Sequence, residues 1–494
     1  MRSTDGASAW VTLLGAVALA AGAFAWATAR APALGTLALV GLAACVGGVI
    51  LLRLAGSNVL NLMACLGVAI VDISIIGSFT AGVRIDIELA VKVGIVGGGA
   101  VLALVAWRRG AIVGSELIVL AYGAICLASA FYSEVVSFSL GAAGVVVCQL
   151  LLAIGLSRTY RDSDDLLRTT GWLVAAFSAK LVFSWILLAV APGFVLASQN
   201  PFAEAGWLGM PRFGGVAGPN TMALNLALLV AMAVAMLSKW DGTRRGRIVL
   251  GGLGSWAAGT LLLTQSRTSV AAVMAAVGGI LYNRRRRVAL VALGLGVVVL
   301  GFAIPWESVD VLSAVSRTGR RGEAISMAGR TAIWEAVIPE VARSPVLGRG
   351  YGSGREIIGN LHVRGATRSF YSAHNMVLES MLNVGAAGTL LLLVVVGGGG
   401  VRAFRLVARA RQLGDSGAER SGLVLLGVGV VILVNGITES GPAGVLTVPT
   451  MLSAWVFCSA GRMLALLEVA AREGGRARAG EMKRAAGIVG DMAG

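Results

Sequence analysis

The chain has 494 residues, 57% of them apolar and only 13% charged, with a mean hydropathy of +0.83. That composition excludes a soluble globular protein of this length and points to a polytopic membrane protein. The net charge of +16 would suit a nucleic-acid partner. Most basic residues, however, fall in short links between apolar runs, where they read as topology determinants and contacts for anionic lipid, so no nucleic acid is expected.

Lipid offers no partners to backbone polar groups, so only helices of about 20 apolar residues or closed barrels can span it. The apolar runs here are continuous rather than alternating, which predicts an all-α fold. In chain order the expected spans are 9–29, 33–52, 58–79, 88–107, 112–131, 134–156, 170–192, 219–238, 247–264, 268–283, 287–305, 374–397, 421–438 and 444–467, about fourteen in all with a range of twelve to fourteen. An even count places both termini on one side. Arg108, Arg109, the run RTYRDSDDLLR, the run KWDGTRRGR, RRRR at 284–287, RAFRLVARAR and the Arg-rich tail share that side, against little more than Arg30 and Arg84 on the other. The asymmetry makes both termini cytoplasmic. The first apolar run is preceded by a short basic start and followed by ATA before Arg30, yet it exceeds a usual signal core and is expected to stay as an uncleaved span.

All five cysteines lie within expected spans, so no disulfide framework is read. With two histidines and no close His/Cys grouping, no metal site and no cofactor are expected. The 69 glycines suit close helix packing, and the tract VVVGGGG at 394–400 is expected to fray its helix. No internal repeat of the inverted-repeat transporter kind is evident.

Two segments on the external side stand out. Residues 193–218 precede the helix that begins PNTMALN, and 306–373 form the one long polar segment. Within the latter, GRTAIWEAVIPEVAR has Ile333, Val337 and Val341 on one helical face, which predicts a short amphipathic helix that Pro339 kinks or shortens. The loop carries Arg317, Arg320, Arg321, Arg330, Arg343, Arg349, Arg355, Arg364 and Arg368 and no lysine. These are either solvated arginines of an Arg-biased chain or guanidinium forks for phosphate. Arg267, in LLLTQSRTS, sits where two apolar runs meet, and it either snorkels to headgroups or lines a cavity for an anionic ligand; Arg212 in GMPRFGGVAGPN is similar.

His374, in SFYSAHNMVLESMLNVG, opens an apolar run, where a histidine can act as a general base or simply cap and pack a helix end. His362 has no such context and reads as a surface residue. GRGYGSG at 348–354 lacks a preceding strand and a following GKS or GKT, so it is a turn whose amides approach an anion or a neighbouring helix rather than a nucleotide loop. Lys180 lies in mid-span and requires a cavity or partner; it is the main support for a rival reading, a transporter or flippase of an anionic lipid or solute.

In this order, RFGGVAGPN with Arg212 and Asn220, TQSRTS with Arg267, GRTAIW with Arg330, SPVLGRGYGS with Arg349 and Tyr351, and AHNMVLESMLNVG with His374 and Asn375 resemble the O-antigen ligase and O-antigen polymerase family of bacterial membrane glycosyltransferases. The resemblance spans roughly 195–400. Taken with the apolar runs and the basic links, it divides the chain into N-terminal transmembrane helices over 1–192, a ligase/polymerase-like core over 193–400 that includes the external loop 306–373, C-terminal transmembrane helices over 401–470 and a cytoplasmic basic tail over 471–494. It also implies an enzyme of the bacterial cytoplasmic membrane whose site faces outward. The donor is then an undecaprenyl-diphosphate-linked glycan, the acceptor a hydroxyl on a glycan, glycolipid or protein, and no metal is needed. In that reading His374, Arg267 and Arg330 are catalytic, and Arg212, Asn220, Arg349, Tyr351 and Asn375 bind substrate. One departure is plain: the family often has an acidic residue where this chain has Asn383, and Glu379 is off the face of His374. A His–Glu pairing is left without an evident carboxylate.

Overall fold

The computed structural model describes residues 59–72, 87–106, 114–196, 211–282, 330–361 and 371–492. The expected spans at 9–29, 33–52 and 287–305 lie outside the described residues, as do His362 and the loop arginines Arg317, Arg320, Arg321, Arg364 and Arg368.

Every other apolar run is a helix. We label them α1 (Val59–Val71), α2 (Ile87–Ala106), α3 (Gly114–Ala130), α4 (Val136–Thr159), α5 (Ser163–Val190), α6 (Pro219–Ser238), α7 (Arg244–Leu263), α8 (Arg267–Tyr282), α9 (Arg330–Arg343), α10 (Gly354–Asn360), α11 (Met376–Leu413), α12 (Ser416–Gly436) and α13 (Val448–Met492). Among the described residues, seven helices are long and apolar enough to cross a membrane, and α1, α3, α8 and the stretch Val91–Leu104 of α2 are shorter apolar helices. The chain is an all-α, multi-pass membrane protein. Exposed apolar side chains such as Val101, Leu117, Ile248 and Leu390 point outward, as expected of a surface solvated by lipid.

Local chemistry sets the helix ends. Asp162 caps α5 by accepting from the N–H groups of Asp164 and Asp165, and Thr243 caps α7 through Gly246. Pro219 opens α6, where a missing N–H costs nothing. Gly414, left-handed at φ 71°, closes α11.

The glycine tract 397–400 corrects an expectation. It does not fray the helix, because α11 runs on to Leu413. Instead Gly398 packs under the Phe457 ring and Gly399 against Val456, so the missing side chains bring α11 onto α13. Tertiary packing here overrides the low helix propensity of glycine.

Lys180 has its partner. Its Nζ lies 3.3 Å from Asp72 Oδ2, with both side chains almost wholly buried. This pair ties α5 to the end of α1. The charge that favoured transport is thus matched inside the bundle.

Helix α9 follows the expected pattern. Ile333 and Val337 are buried with Ile358, Ala373 and Leu382, and Val341 packs alongside. Pro339 lies inside the helix without ending it. The cluster seats the polar segment on the start of α11.

Candidate active site

Helix α11 starts behind Asn375, whose Oδ1 accepts from Val377 N–H at 2.9 Å and Leu378 N–H at 3.0 Å. The Asn375 Nδ2 donates to Ile437 O at 3.0 Å, joining this helix start to the end of α12. Just before it, His374 has φ 46°, a left-handed conformation that costs a residue with a side chain roughly 1–3 kcal/mol unless its surroundings hold it. They do. His374 N–H donates to Ser372 Oγ at 3.1 Å, Ala373 N–H to Glu379 Oε2 at 2.7 Å, and Trp334 Nε1–H to Ala373 O at 2.9 Å.

The held imidazole meets a carboxylate. His374 Nδ1 lies 3.0 Å from Glu439 Oε2. A carboxylate oxygen in this contact accepts from Nδ1–H, and in the neutral imidazole that tautomer leaves the lone pair on Nε2. The other oxygen of Glu439 accepts from Arg330 Nη2 at 2.5 Å and from Asn220 Nδ2 at 2.8 Å. Asn220 in turn accepts from Arg212 Nη2 at 2.8 Å, and Arg212 Nε donates to Thr264 O at 2.9 Å. Glu439 is one-fifth exposed and His374 one-third, so the cluster is sheltered yet reachable.

Four residues expected from sequence, His374, Arg330, Asn220 and Arg212, therefore converge on Glu439, and Asn375 adjoins through Ile437. Arg267 opens α8 beside Thr268, whose hydroxyl is bonded to that of Thr438 at 2.8 Å, next to Glu439 in the chain. Asn435 Nδ2 donates to Ser269 Oγ at 2.8 Å, holding the same two helix ends together one turn deeper. Two guanidinium groups, Arg330 directly and Arg212 through Asn220, stand on the carboxylate that binds the imidazole.

Glu439 was missed in the sequence. It belongs to no motif, but it is the sole charged residue between Arg420 and Arg462, a signal that a chain this apolar makes visible. Glu379, by contrast, points back to the loop and accepts from Ala373, leaving the imidazole to Glu439.

The glycine-rich turn has a different role. Gly385, at φ 62° and ψ −167°, breaks α11 and frees backbone groups, and the segment 345–350 takes them. Arg349 N–H donates to Leu382 O at 2.7 Å, Gly350 N–H to Asn383 O at 2.9 Å, and Ala386 N–H to Pro345 O at 2.8 Å. Gly354 N–H donates to Asn383 Oδ1 at 3.0 Å. Asn383 is thus an anchor of the turn, and the amides meet the neighbouring helix. Arg349 pairs with Glu134 at 2.5 Å, and Tyr351 is buried with its hydroxyl donating to Gly444 O at 3.1 Å. Neither joins the contacts around Glu439. Burial within the fold holds the Tyr351 hydroxyl well above the usual phenol range.

Among the described residues, no grouping of three or more His, Cys, Asp or Glu side chains could hold a metal ion. Residues 252–393 match a family model described as O-antigen ligase. The matched region contains Arg267, Arg330 and His374, whereas Arg212, Asn220 and Glu439 lie outside it. No curated protein matches the chain.

Proposed function

We propose that this chain, whose residues 252–393 match the O-antigen ligase family model, transfers a glycan from undecaprenyl diphosphate to an acceptor hydroxyl, with His374 as general base. The family match supports a membrane glycosyltransferase of ligase or polymerase type. One observation carries the finer reading: His374 Nδ1 and the Arg330 guanidinium meet on the single carboxylate of Glu439.

The chemistry follows from that arrangement. With Nδ1–H directed to Glu439, Nε2 is the basic nitrogen that faces an acceptor. As the acceptor oxygen attacks the anomeric carbon, its proton passes to Nε2. The bond from that carbon to the diphosphate oxygen breaks, and the electron pair leaves with the diphosphate. Glu439 stabilises the imidazolium that results, as a carboxylate does for a histidine base elsewhere. Arg330, Arg212 and Arg267 supply fixed positive charge for the departing diphosphate. Arg330 has five donors, enough to keep Glu439 and engage a phosphate together. A single displacement inverts the anomeric carbon, and apolar grooves between helices take the polyprenyl tail.

The distribution of Lys and Arg among the links supports an external site and cytoplasmic termini in the bacterial inner membrane. Polymerase and ligase differ only in the acceptor, and both need this base and this cationic environment. The test is His374→Ala in proteoliposomes supplied with undecaprenyl-diphosphate-linked glycan from the native organism. Release of undecaprenyl diphosphate is the product common to both reactions. The variant should insert normally and lose turnover about a hundredfold or more; turnover near the parent rate would refute the role of His374.

A further inference from the structure

Two residues of the dyad come from segments far apart in the chain, His374 ahead of α11 and Glu439 after α12. Something must fix their relative position to within a few tenths of an ångström for the imidazole to stay on its carboxylate. Ser372 lies two residues before His374 and Ser440 directly follows Glu439, and their Oγ atoms are 3.0 Å apart. We propose that Ser372 and Ser440 form a positioning clasp that holds His374 against Glu439. This rests on the reading of His374 as general base.

Further hydrogen bonds tie the clasp to both segments. Ser372 Oγ accepts the N–H of His374 at 3.1 Å and lies 3.2 Å from Glu379 Oε2. The Ser372 hydroxyl is the donor on both sides, sharing its one proton between Ser440 Oγ and Glu379 Oε2. Glu379 is buried in the first turns of α11 and also accepts Ala373 N–H. The chain Ser440 to Ser372 to Glu379 thus links the loop carrying Glu439 to the helix whose mouth carries His374. It also supports the left-handed backbone at His374, since Ser372 takes that residue's N–H.

Ser440 is the clean probe, because its hydroxyl makes only this side-chain bond among the described residues. Asn375, a second polar link between the two segments, also caps α11, so its loss would disturb the helix as well.

The experiment compares full-length parent, Ser440→Ala, Ser440→Thr, Ser372→Ala, the double alanine variant and His374→Ala. Each is assayed for undecaprenyl diphosphate release in proteoliposomes, with the native undecaprenyl-diphosphate-linked glycan as substrate. Misplacing a catalytic group by about 1 Å can cost on the order of a hundredfold, so loss of one clasp bond is expected to lower kcat about tenfold. KM for the donor and the thermal midpoint should stay at parent values for Ser440→Ala. Ser440→Thr, which keeps the hydroxyl, should restore kcat. The double variant should be no slower than Ser372→Ala, because both remove the same bond. Parent-level kcat in Ser440→Ala, a change confined to KM, or an equal loss in Ser440→Thr would overturn the clasp. If His374→Ala retains turnover, the base assignment fails and takes the clasp with it; loss at position 374 with parent kcat at position 440 overturns the clasp alone.

Discussion

His374 Nδ1 lies 3.0 Å from Glu439 Oε2, across a sequence separation of 65 residues. That contact orients the imidazole by fixing its tautomer, and it puts the Arg330 guanidinium on the same carboxylate. The proposed base and the Arg330 guanidinium are therefore not independent parts. A change at Glu439 reaches both.

Glu439→Gln removes the charge and keeps the shape. The amide can donate to Nδ1 as readily as accept from it, which turns Nε2 into a donor in part of the population. It also leaves the imidazolium formed during transfer without its counter-charge. We expect kcat to fall about a hundredfold or more, with donor KM changed far less, measured by undecaprenyl diphosphate release. A kcat within a few-fold of the parent would rule out an orienting role for this carboxylate.

Arg330→Lys keeps the charge and loses the planar fork. The guanidinium can serve Glu439 and a phosphate through separate nitrogens, whereas an ammonium is a point charge on a flexible stem. The expected result is about a tenfold rise in donor KM for the lysine variant, and a further rise for Arg330→Gln. Equal donor kinetics in parent and glutamine variant would dissociate Arg330 from the diphosphate.

The apolar runs were legible because lipid imposes helix length and continuity directly on the sequence, and α1 to α8 and α11 to α13 fall where those runs predict. His374, Arg330, Asn220 and Arg212 were legible because each sits in a short polar motif at a helix mouth. Glu439 was not, because its place depends on how the end of α12 packs beside the start of α11, which no local spacing encodes. The same limit hid Asp72, the partner of Lys180 from just beyond α1, and made the glycines at 397–400 read as a fraying helix end when Gly398 and Gly399 form a packing face. Position 383, where the resemblance led one to look for a carboxylate, holds Asn383, whose side chain the break at Gly385 gives to the turn.

Gly348→Ala tests the joint between that turn and α11. A Cβ on Gly348 would stand 2.5 Å from the Gly385 nitrogen and 2.6 Å from Asn383 C, both backbone atoms that cannot rotate away. The residue also has φ 72°, so alanine adds backbone strain to the clash. The detergent-solubilised variant should melt several degrees below the parent, reflecting a loss on the order of 2–4 kcal/mol. An unchanged midpoint would mean that the turn does not dock into the break of α11 as described.

Lys180→Met separates a structural ion pair from a transport site. The parent pair is 3.3 Å apart with 1% and 7% side-chain exposure, so removing the ammonium takes this partner from a buried carboxylate. Breaking a buried pair in this way typically costs about 3–5 kcal/mol, much more than the intact pair contributes relative to apolar neighbours. Lys180→Met should therefore lower the thermal midpoint clearly. The double variant Lys180→Met with Asp72→Asn should recover much of it, because the stranded charge is gone. Undecaprenyl diphosphate release per folded molecule should then match the parent in the double variant. A double variant that folds as stably as the parent yet has lost turnover would instead tie this ion pair to substrate handling, and would return the N-terminal helices to the mechanism.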